Sequence, residues 1–417
     1  MASRAAEMAL DRSRFEERLD LVALRVSALK TSAFMKRLSK QLLNVARVRN
    51  VERDGDDASK RLILLSKQIT DLSLDALPEP LREWALSEGA EPVRHTIVLD
   101  YAWFSAEQVL RQLLPVDVET PSAFETAGHV AHLNLRESQL PYKAAIGAVI
   151  LDKNAHIRTV VNKVGTIETE YRTFPMELLA GDDDLEVELR ESGALFRFNF
   201  AEVYWNSRLQ AEHKRLVDLI AERDATALTV WDVFAGIGPF AVPLALKGAA
   251  VHANDLNPRS YEALVANARL NKCERYLHAS NEDGRAFLRR MRAAGPPSPT
   301  HVVMNLPKIG IEFLDALREF PAAHGRPLVH VYCFSKAEDY RADVLARVGR
   351  ALDAKLDAAD IHVVRDVAPR TPMLCVSFRL PAACLASDDR GATPADGDAP
   401  LPPAKKPRPD LASSGDA

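Results

Sequence analysis

The 417-residue chain has no run of 18 apolar residues, which argues against a membrane-spanning helix. Cysteine is scarce. Cys273, Cys333, Cys375 and Cys384 show no CxxC spacing and no histidines at metal-ligand spacing, so zinc ribbons and redox dithiols are excluded and buried thiols in a reducing compartment are expected. Positive charge is not in excess: 54 basic against 58 acidic side chains leave a formal charge of -4, so any nucleic acid must be met by a local basic patch and by shape. The first residues lack the apolar core of a signal peptide, and Glu16, Glu17 and Asp20 break a transit-peptide pattern. No Lys-Ser/Thr pair follows the Gly-rich turn in VWDVFAGIGPF (230–240), which excludes a P-loop.

The composition, 47% hydrophobic and 27% charged, is that of a globular protein long enough for two or three domains. Residues 1–120 combine helical patterns with the strand-like RLILL (61–65) and end in the amphipathic SAEQVLRQLLP (105–115). Prolines 115 and 121 mark a hinge, and residues 121–215 carry the strand-like AVILD, TVVNKV, LEVELR and ALFRFNF, expected to form a mixed sheet. From 216 to 385 strands and helices alternate, five strand-helix repeats followed by a strand pair. That order predicts an α/β fold with a mostly parallel sheet and helices on both faces, preceded by two smaller α+β domains. Residues 386–417 are rich in Pro, Gly, Asp and Ala and are expected to be disordered; KKPR (405–408) within them is a nuclear address or simply a solubilising cluster.

Glycines 236 and 238 follow the strand-forming Val230, Trp231, Val233 and Phe234 and precede a helix-like run, a turn whose amides can face a bound group or merely reverse the chain. Asp255 ends the second strand of this region, where a carboxylate can accept ribose hydroxyls; Asp283 and Gly284 follow the third, and Asn305 and Pro307 the fourth. Both aspartates could equally be N-caps of the next helix. Polar strand ends in register favour a ligand at that edge, yet serve a nicotinamide or S-adenosylmethionine alike. The Asn-x-Pro turn offers carbonyls to a planar N–H-bearing group. In YWNSRLQAEHKRL (204–216), Ser207 and Gln210 read as a capping box, and Arg208 and Glu212, four apart, as a surface ion pair or two faces of one pocket. Taken alone, Arg172 in ETEYRTFPMELLAG reads as a structural arginine.

These stretches together resemble the tRNA (guanine-37 N1)-methyltransferases of the eukaryotic and archaeal type. The resemblance is carried in order by FETAGHVAHLNLRESQLPYKAAIGAVILDKN (124–154), TVVNKVGTIETEYRTFPMELLAG (159–181), VYWNSRLQAEH (203–213), DVFAGIGPFAVPLALKGAAVHANDLNPRSYEALVANARLNK (232–272) and MNLPKIGIEFLDAL (304–317). LDRSRFEERLDLVALRV (10–26) resembles the start of that family's N-terminal domain, and Lys308 departs from the small or uncharged residue that usually follows NLP.

The resemblance implies a first domain that contacts the outer corner of tRNA, a middle domain that helps build the target-base site, and a class I methyltransferase domain. It implies S-adenosylmethionine bound by His213, Asp255, Leu256, Asp283, Gly284 and Asn305, with Tyr204, Arg208 and Pro307 lining the cofactor or substrate pocket. Glu212 is implied as the base and Arg172 as the arginine facing guanine. The chemistry agrees with those residue types: N1 of guanine must lose a proton, which a part-buried carboxylate of raised pKa would accept well, while a guanidinium can meet the charge growing on O6. No metal is required, the chain is expected to be a monomer, and the target must be splayed out of the anticodon loop. Expected compartments are the cytoplasm and nucleus, with the mitochondrial matrix a further candidate. The rivals are an aminocarboxypropyl-transferring enzyme of the wybutosine pathway, a dehydrogenase (disfavoured because GIGPF is not GxGxxG) and a noncatalytic tRNA-binding protein.

Overall fold

The computed structural model describes residues 10–121, 123–165, 173–222, 224–294, 297–356 and 358–386. Arg172 and the tail from 387 onward, expected from its composition to be disordered, lie outside the described residues. The chain divides into two compact units: 1–123 with 135–156 and 179–181, and 124–134 with 157–178 and 182–417. The segment 121–215 is thus shared between them.

In the first unit β1 (Glu17–Ser27), β2 (Val51–Arg53), β3 (Lys60–Leu64) and β4 (Glu91–Leu99) form an antiparallel sheet of order β2-β3-β1-β4. The alternation of β1 explains why both faces are covered. Val22, Leu24 and Val26 pack with Phe34 and Leu38, from or beside α1 (Thr31–Arg37), while Leu19, Leu21 and Ala23 pack with Leu62, Leu64 and Ile97. Helix α2 (Glu79–Ser87) joins the first face through Ala85. The amphipathic stretch becomes α3 (Ala106–Leu113), closed by a Ser105–Gln108 capping box. AVILD is a correction: it lies in α4 (Lys143–Lys153), not in a strand. Four apolar residues in a row carry no periodicity, and only the eleven-residue length with its KAAIG lead distinguishes the helix.

β5 (Glu125–Ala127), β6 (Val130–Leu133), β7 (Thr159–Lys163) and β8 (Met176–Gly181) form a mixed sheet in that order, all of it but residues 179–181 within the second unit, as is a hairpin of β9 (Glu186–Glu191) and β10 (Ala194–Asn199). After α5 (Gln210–Ile220) comes the alternating region. Its strands are β11 (Thr229–Asp232), β12 (Ala250–Asn254), β13 (Leu277–Ser280), β14 (His301–Met304), β15 (Leu328–Phe334), β16 (Asp360–Ala368) and β17 (Thr371–Arg379). They form one sheet of order β13-β12-β11-β14-β15-β17-β16, parallel up to β15, with β17 antiparallel to both neighbours.

Helices α5, α6 (Ala241–Leu246) and α7 (Pro258–Leu270) cover one face of this sheet. Helices α8 (Gly284–Ala293) and α9 (Tyr340–Leu352) cover the other, together with a 3₁₀ segment, Gly310–Leu317. That segment's buried positions recur every third residue, in the rows Gly310/Phe313/Ala316 and Ile311/Leu314/Leu317, which suits the three-residue turn of a 3₁₀ helix. All four cysteine thiols are free and buried. Among the described residues no helix is long and apolar enough to cross a membrane.

Candidate active site

The strand order reverses at β11, whose neighbours are β12 and β14, and ligands in such sheets sit at the strand ends beside that point. Buried Asn254, which ends β12, ties these ends together. Its Nδ2 donates to the carbonyls of Val233 (3.2 Å) and Glu282 (2.9 Å), and its Oδ1 accepts from the Glu282 amide (3.1 Å). Asn267 of α7 braces the Gly-rich turn, donating to the Ile237 carbonyl (3.2 Å) while accepting from the Arg197 amide (2.8 Å).

Two glycines of the turn need positive φ, +55° at Gly236 and +100° at Gly238. A Cβ on Gly238 would also lie 2.7 Å from Leu264 Cδ1 and 2.8 Å from Val242 Cγ2. Gly238→Ala is therefore expected to cost about 1–3 kcal/mol. The melting temperature should fall by several degrees; an unchanged melting curve would refute the strain.

A cavity of about 300 Å³ opens over these ends, and Tyr204, His213, Asp255, Leu256, Asp283, Gly284, Asn305 and Pro307 all line it. Asp255 accepts from the Gly236 amide (2.8 Å) and the Asn257 amide (2.9 Å), and Asn281 donates to the carbonyls of Asp255 and Leu256 from behind. Burial raises the Asp255 pKa, and the two amides offset part of that. Asp255 is not a helix cap: Asn257 caps α7 instead. Asp283 does both jobs, capping α8 through the Arg285 and Ala286 amides while facing the cavity. Gly284 follows because a Cβ there would come 2.8 Å from the Phe234 ring. His213 is oriented by a 2.6 Å contact from Nδ1 to Glu191 Oε1, both side chains buried. Asn305 Oδ1 is buried without a hydrogen-bond partner, a carbonyl at the cavity wall open to an N–H from a ligand.

Three expectations for the YWNSRLQAEHKRL stretch are corrected. Asn206, not Ser207, caps the short 3₁₀ turn that leads into α5, accepting from the Arg208 amide (3.1 Å). Arg208, half-exposed, does not line the cavity and pairs with Glu125 of β5 at 2.5 Å rather than with Glu212. Glu212 points the other way, toward the sheet. It accepts bidentate bonds from Arg215 Nε and Nη2 (both 2.6 Å) and one from Tyr332 Oη (2.7 Å), and His362 Nε2 lies 3.4 Å off.

Burial alone would raise the Glu212 pKa, but Arg215, His362 and Tyr332 outweigh it and hold the carboxyl at about 2, not at the raised value expected of a base. Sequence reasoning missed Tyr332 and His362, since β15 and β16 meet α5 only through the fold. Arg215 was in plain view three residues on, at a spacing that pairs as well as four.

The chain matches the family model described as the TRM5/TYW2 methyltransferase domain over residues 187–359, and one described as the TYW2 N-terminal domain over 106–184. It is 50% identical over 398 residues to a tRNA (guanine(37)-N(1))-methyltransferase of Phytophthora infestans, covering 93% of this chain and 96% of that one. The chain belongs to the tRNA (guanine-37 N1)-methyltransferase family. The family's human protein of that name is 38% identical over 395 residues, with 90% and 76% covered. The fold of the family agrees: a crystal structure of wild-type Trm5b from Pyrococcus abyssi aligns with TM-score 0.60 and 25% identity, covering 86% of this chain and 99% of its own. The complex of aTrm5 with tRNALeu aligns with TM-score 0.64 at 21% identity, with 86% and 100% covered.

Proposed function

We infer that this protein transfers a methyl group from S-adenosylmethionine to N1 of guanosine 37 of tRNA, beside the anticodon. The observation that carries the cofactor reading is the set of strand-end groups around one cavity: the Asp255 carboxylate for ribose hydroxyls, and the orphaned Asn305 carbonyl for an N–H donor. Leu256, Ile309 and Phe313 supply apolar walls for a purine face. S-adenosylmethionine, when bound, supplies a methyl group on a sulfonium, so no metal is called for. The relatives from Phytophthora infestans and human support methyl transfer over aminocarboxypropyl transfer.

The chain's own groups then have separate tasks. His213, Asp255, Asp283 and Asn305 hold and orient the cofactor. Glu212 takes the proton from N1, and Arg172 donates to O6 as charge develops there; both roles rest on the family resemblance. For Glu212 the geometry adds a condition: its carboxylate must exchange an Arg215 bond for the guanine N1–H before it can accept the proton.

The test is a tRNA transcript incubated with the protein and labelled S-adenosylmethionine, followed by mass mapping of nucleosides. Methyl label at guanosine 37, with none from a carboxyl-labelled cofactor, is the expected result. Transfer of the carboxyl label would establish the aminocarboxypropyl reaction instead. Asp255→Ala should weaken S-adenosylmethionine binding by about 1–3 kcal/mol, because ribose hydroxyls and the Gly236 amide lose their acceptor. Calorimetry giving wild-type affinity would remove Asp255 from the cofactor site.

A further inference from the structure

Lys308 has no part in the cavity, although Asn305, Leu306 and Pro307 before it and Ile309 after it all line it. It turns outward into a separate groove of about 520 Å³ between the Gly310–Leu317 segment and α9, lined also by Arg285, Arg318, Arg347 and Arg350. Ile309 lines both the groove and the cavity, so the two are neighbours on either side of it.

Five cations line the groove against two carboxylates, Glu312 and Asp315, in a chain whose formal charge is -4. Asp315 is taken up by Arg285 at 2.9 Å, and Arg347 is shared between Asp343 (3.2 Å) and the Phe334 carbonyl. Arg318 donates to the carbonyls of Arg350 and Ala351 at the end of α9, which fixes the lower wall. Lys308 and Arg350 are exposed and project their charge into the groove. The apolar side chains of its lining are few, Ile309, Ile311 and Ala351. A charged stripe of this kind, running between the 3₁₀ segment and α9, suits successive phosphates of a nucleic acid backbone rather than an acidic peptide, which would also need side-chain pockets.

We propose that this groove is a docking track for the sugar-phosphate backbone of the RNA substrate, with Lys308 and Arg350 as its phosphate contacts. It rests on the methyl-transfer reading above and adds where the catalytic unit grips RNA outside the cavity. Backbone contacts position a substrate without reading its sequence, so the groove sets affinity and register and leaves the choice of base to the cavity. Removing a cation that neutralises one phosphate should lower the dependence of log affinity on log salt by about 0.7–0.9.

The experiment is steady-state and single-turnover methylation by the full chain carrying Lys308→Glu with Arg350→Glu, and by the neutral Lys308→Gln with Arg350→Gln pair, across a salt series. The expected result is a KM for tRNA raised about tenfold or more by the reversal and less by the neutral pair. The salt slope should be shallower by about 1.4–1.8 in the neutral pair, with S-adenosylmethionine affinity and the saturated single-turnover rate unchanged. Wild-type KM and salt slope in both variants would overturn the docking track, and so would a loss confined to S-adenosylmethionine binding. Wild-type protein in the same assay separates the two readings: if it forms no N1-methylguanosine the proposed function fails, whereas activity that ignores these charges sinks only the groove.

Discussion

Glu212→Gln is expected to lower the single-turnover methylation rate by about 100- to 10,000-fold at saturating tRNA and cofactor, the usual loss on removing a general base. Glutamine keeps the size of the side chain and an acceptor for Tyr332 Oη, so the change is confined to charge and basicity. His213 beside it, which does line the cavity, keeps its own bond to Glu191, and S-adenosylmethionine affinity should change little.

The bidentate pair with Arg215 complicates the reading, because losing one partner of a largely buried ion pair destabilises by itself. The double variant Glu212→Gln with Arg215→Gln separates the two effects. It should recover much of the lost melting temperature and none of the lost rate. Recovery of rate together with stability would mean that Glu212 is structural, and a Glu212→Gln rate within a few-fold of wild type would remove it from the chemistry altogether.

The pH behaviour follows from the same contacts. With its folded pKa at about 2, below the ordinary 4.5, Glu212 contributes stability that is fully present above about pH 4.5 and is lost as pH falls toward 2. In this resting arrangement it is ionised at every pH where the enzyme would be assayed. A rise of the wild-type rate near neutrality therefore reports either another group, such as N1 of guanine, or Glu212 after it has exchanged its Arg215 bond.

The cavity was legible in the sequence because its groups follow strands that declare themselves. TVWDVF and HVVMNL are short runs rich in β-branched residues, and in a parallel sheet the C-terminal ends of β11 to β14 must share one edge, which carries Asp255, Asp283 and Asn305 to the same place. The partners of Glu212 were not legible. Tyr332 is 120 residues away, and nothing in LVHVYCF singles out the tyrosine whose hydroxyl reaches α5. Arg208 misled for a related reason. Helical spacing offered Glu212 at four residues, but the segment at Arg208 is a 3₁₀ turn, whose different rotation sends the guanidinium to Glu125 on a distant strand. AVILD failed because a buried helix and a buried strand present the same apolar run.

Asp232, at the end of β11, should make stability fall as pH rises, and Asp232→Asn should abolish that fall. The side chain is fully buried, and neither carboxylate oxygen has a hydrogen-bond partner in acceptable geometry. Burial first, and the neighbouring Asp255 charge second, push its pKa up to about 8, an effect the Phe234 amide only tempers. The sign follows from proton counting. Between about 3.8, where the unfolded carboxyl titrates, and about 8, the folded state holds a proton that the unfolded state has released. Stability is therefore greatest below the lower value and declines through that window, levelling off above the upper one.

At about 1.4 kcal/mol per pH unit of separation, the cost is on the order of 1–2 kcal/mol at pH 5 and on the order of 5 kcal/mol at pH 8. Asparagine carries no charge to bury but leaves amide groups unsatisfied, a cost of about 1–3 kcal/mol that does not vary with pH. The two costs cross near the acid end. Asp232→Asn should melt close to wild type at pH 5 and several degrees above it at pH 8, the gap widening steadily between. Subtracting one melting series from the other cancels the groups that do not interact with Asp232, leaving Asp232 and its coupling to Asp255, so a gap that stays constant from pH 5 to 8 would show that Asp232 is already ionised and paired in the folded protein.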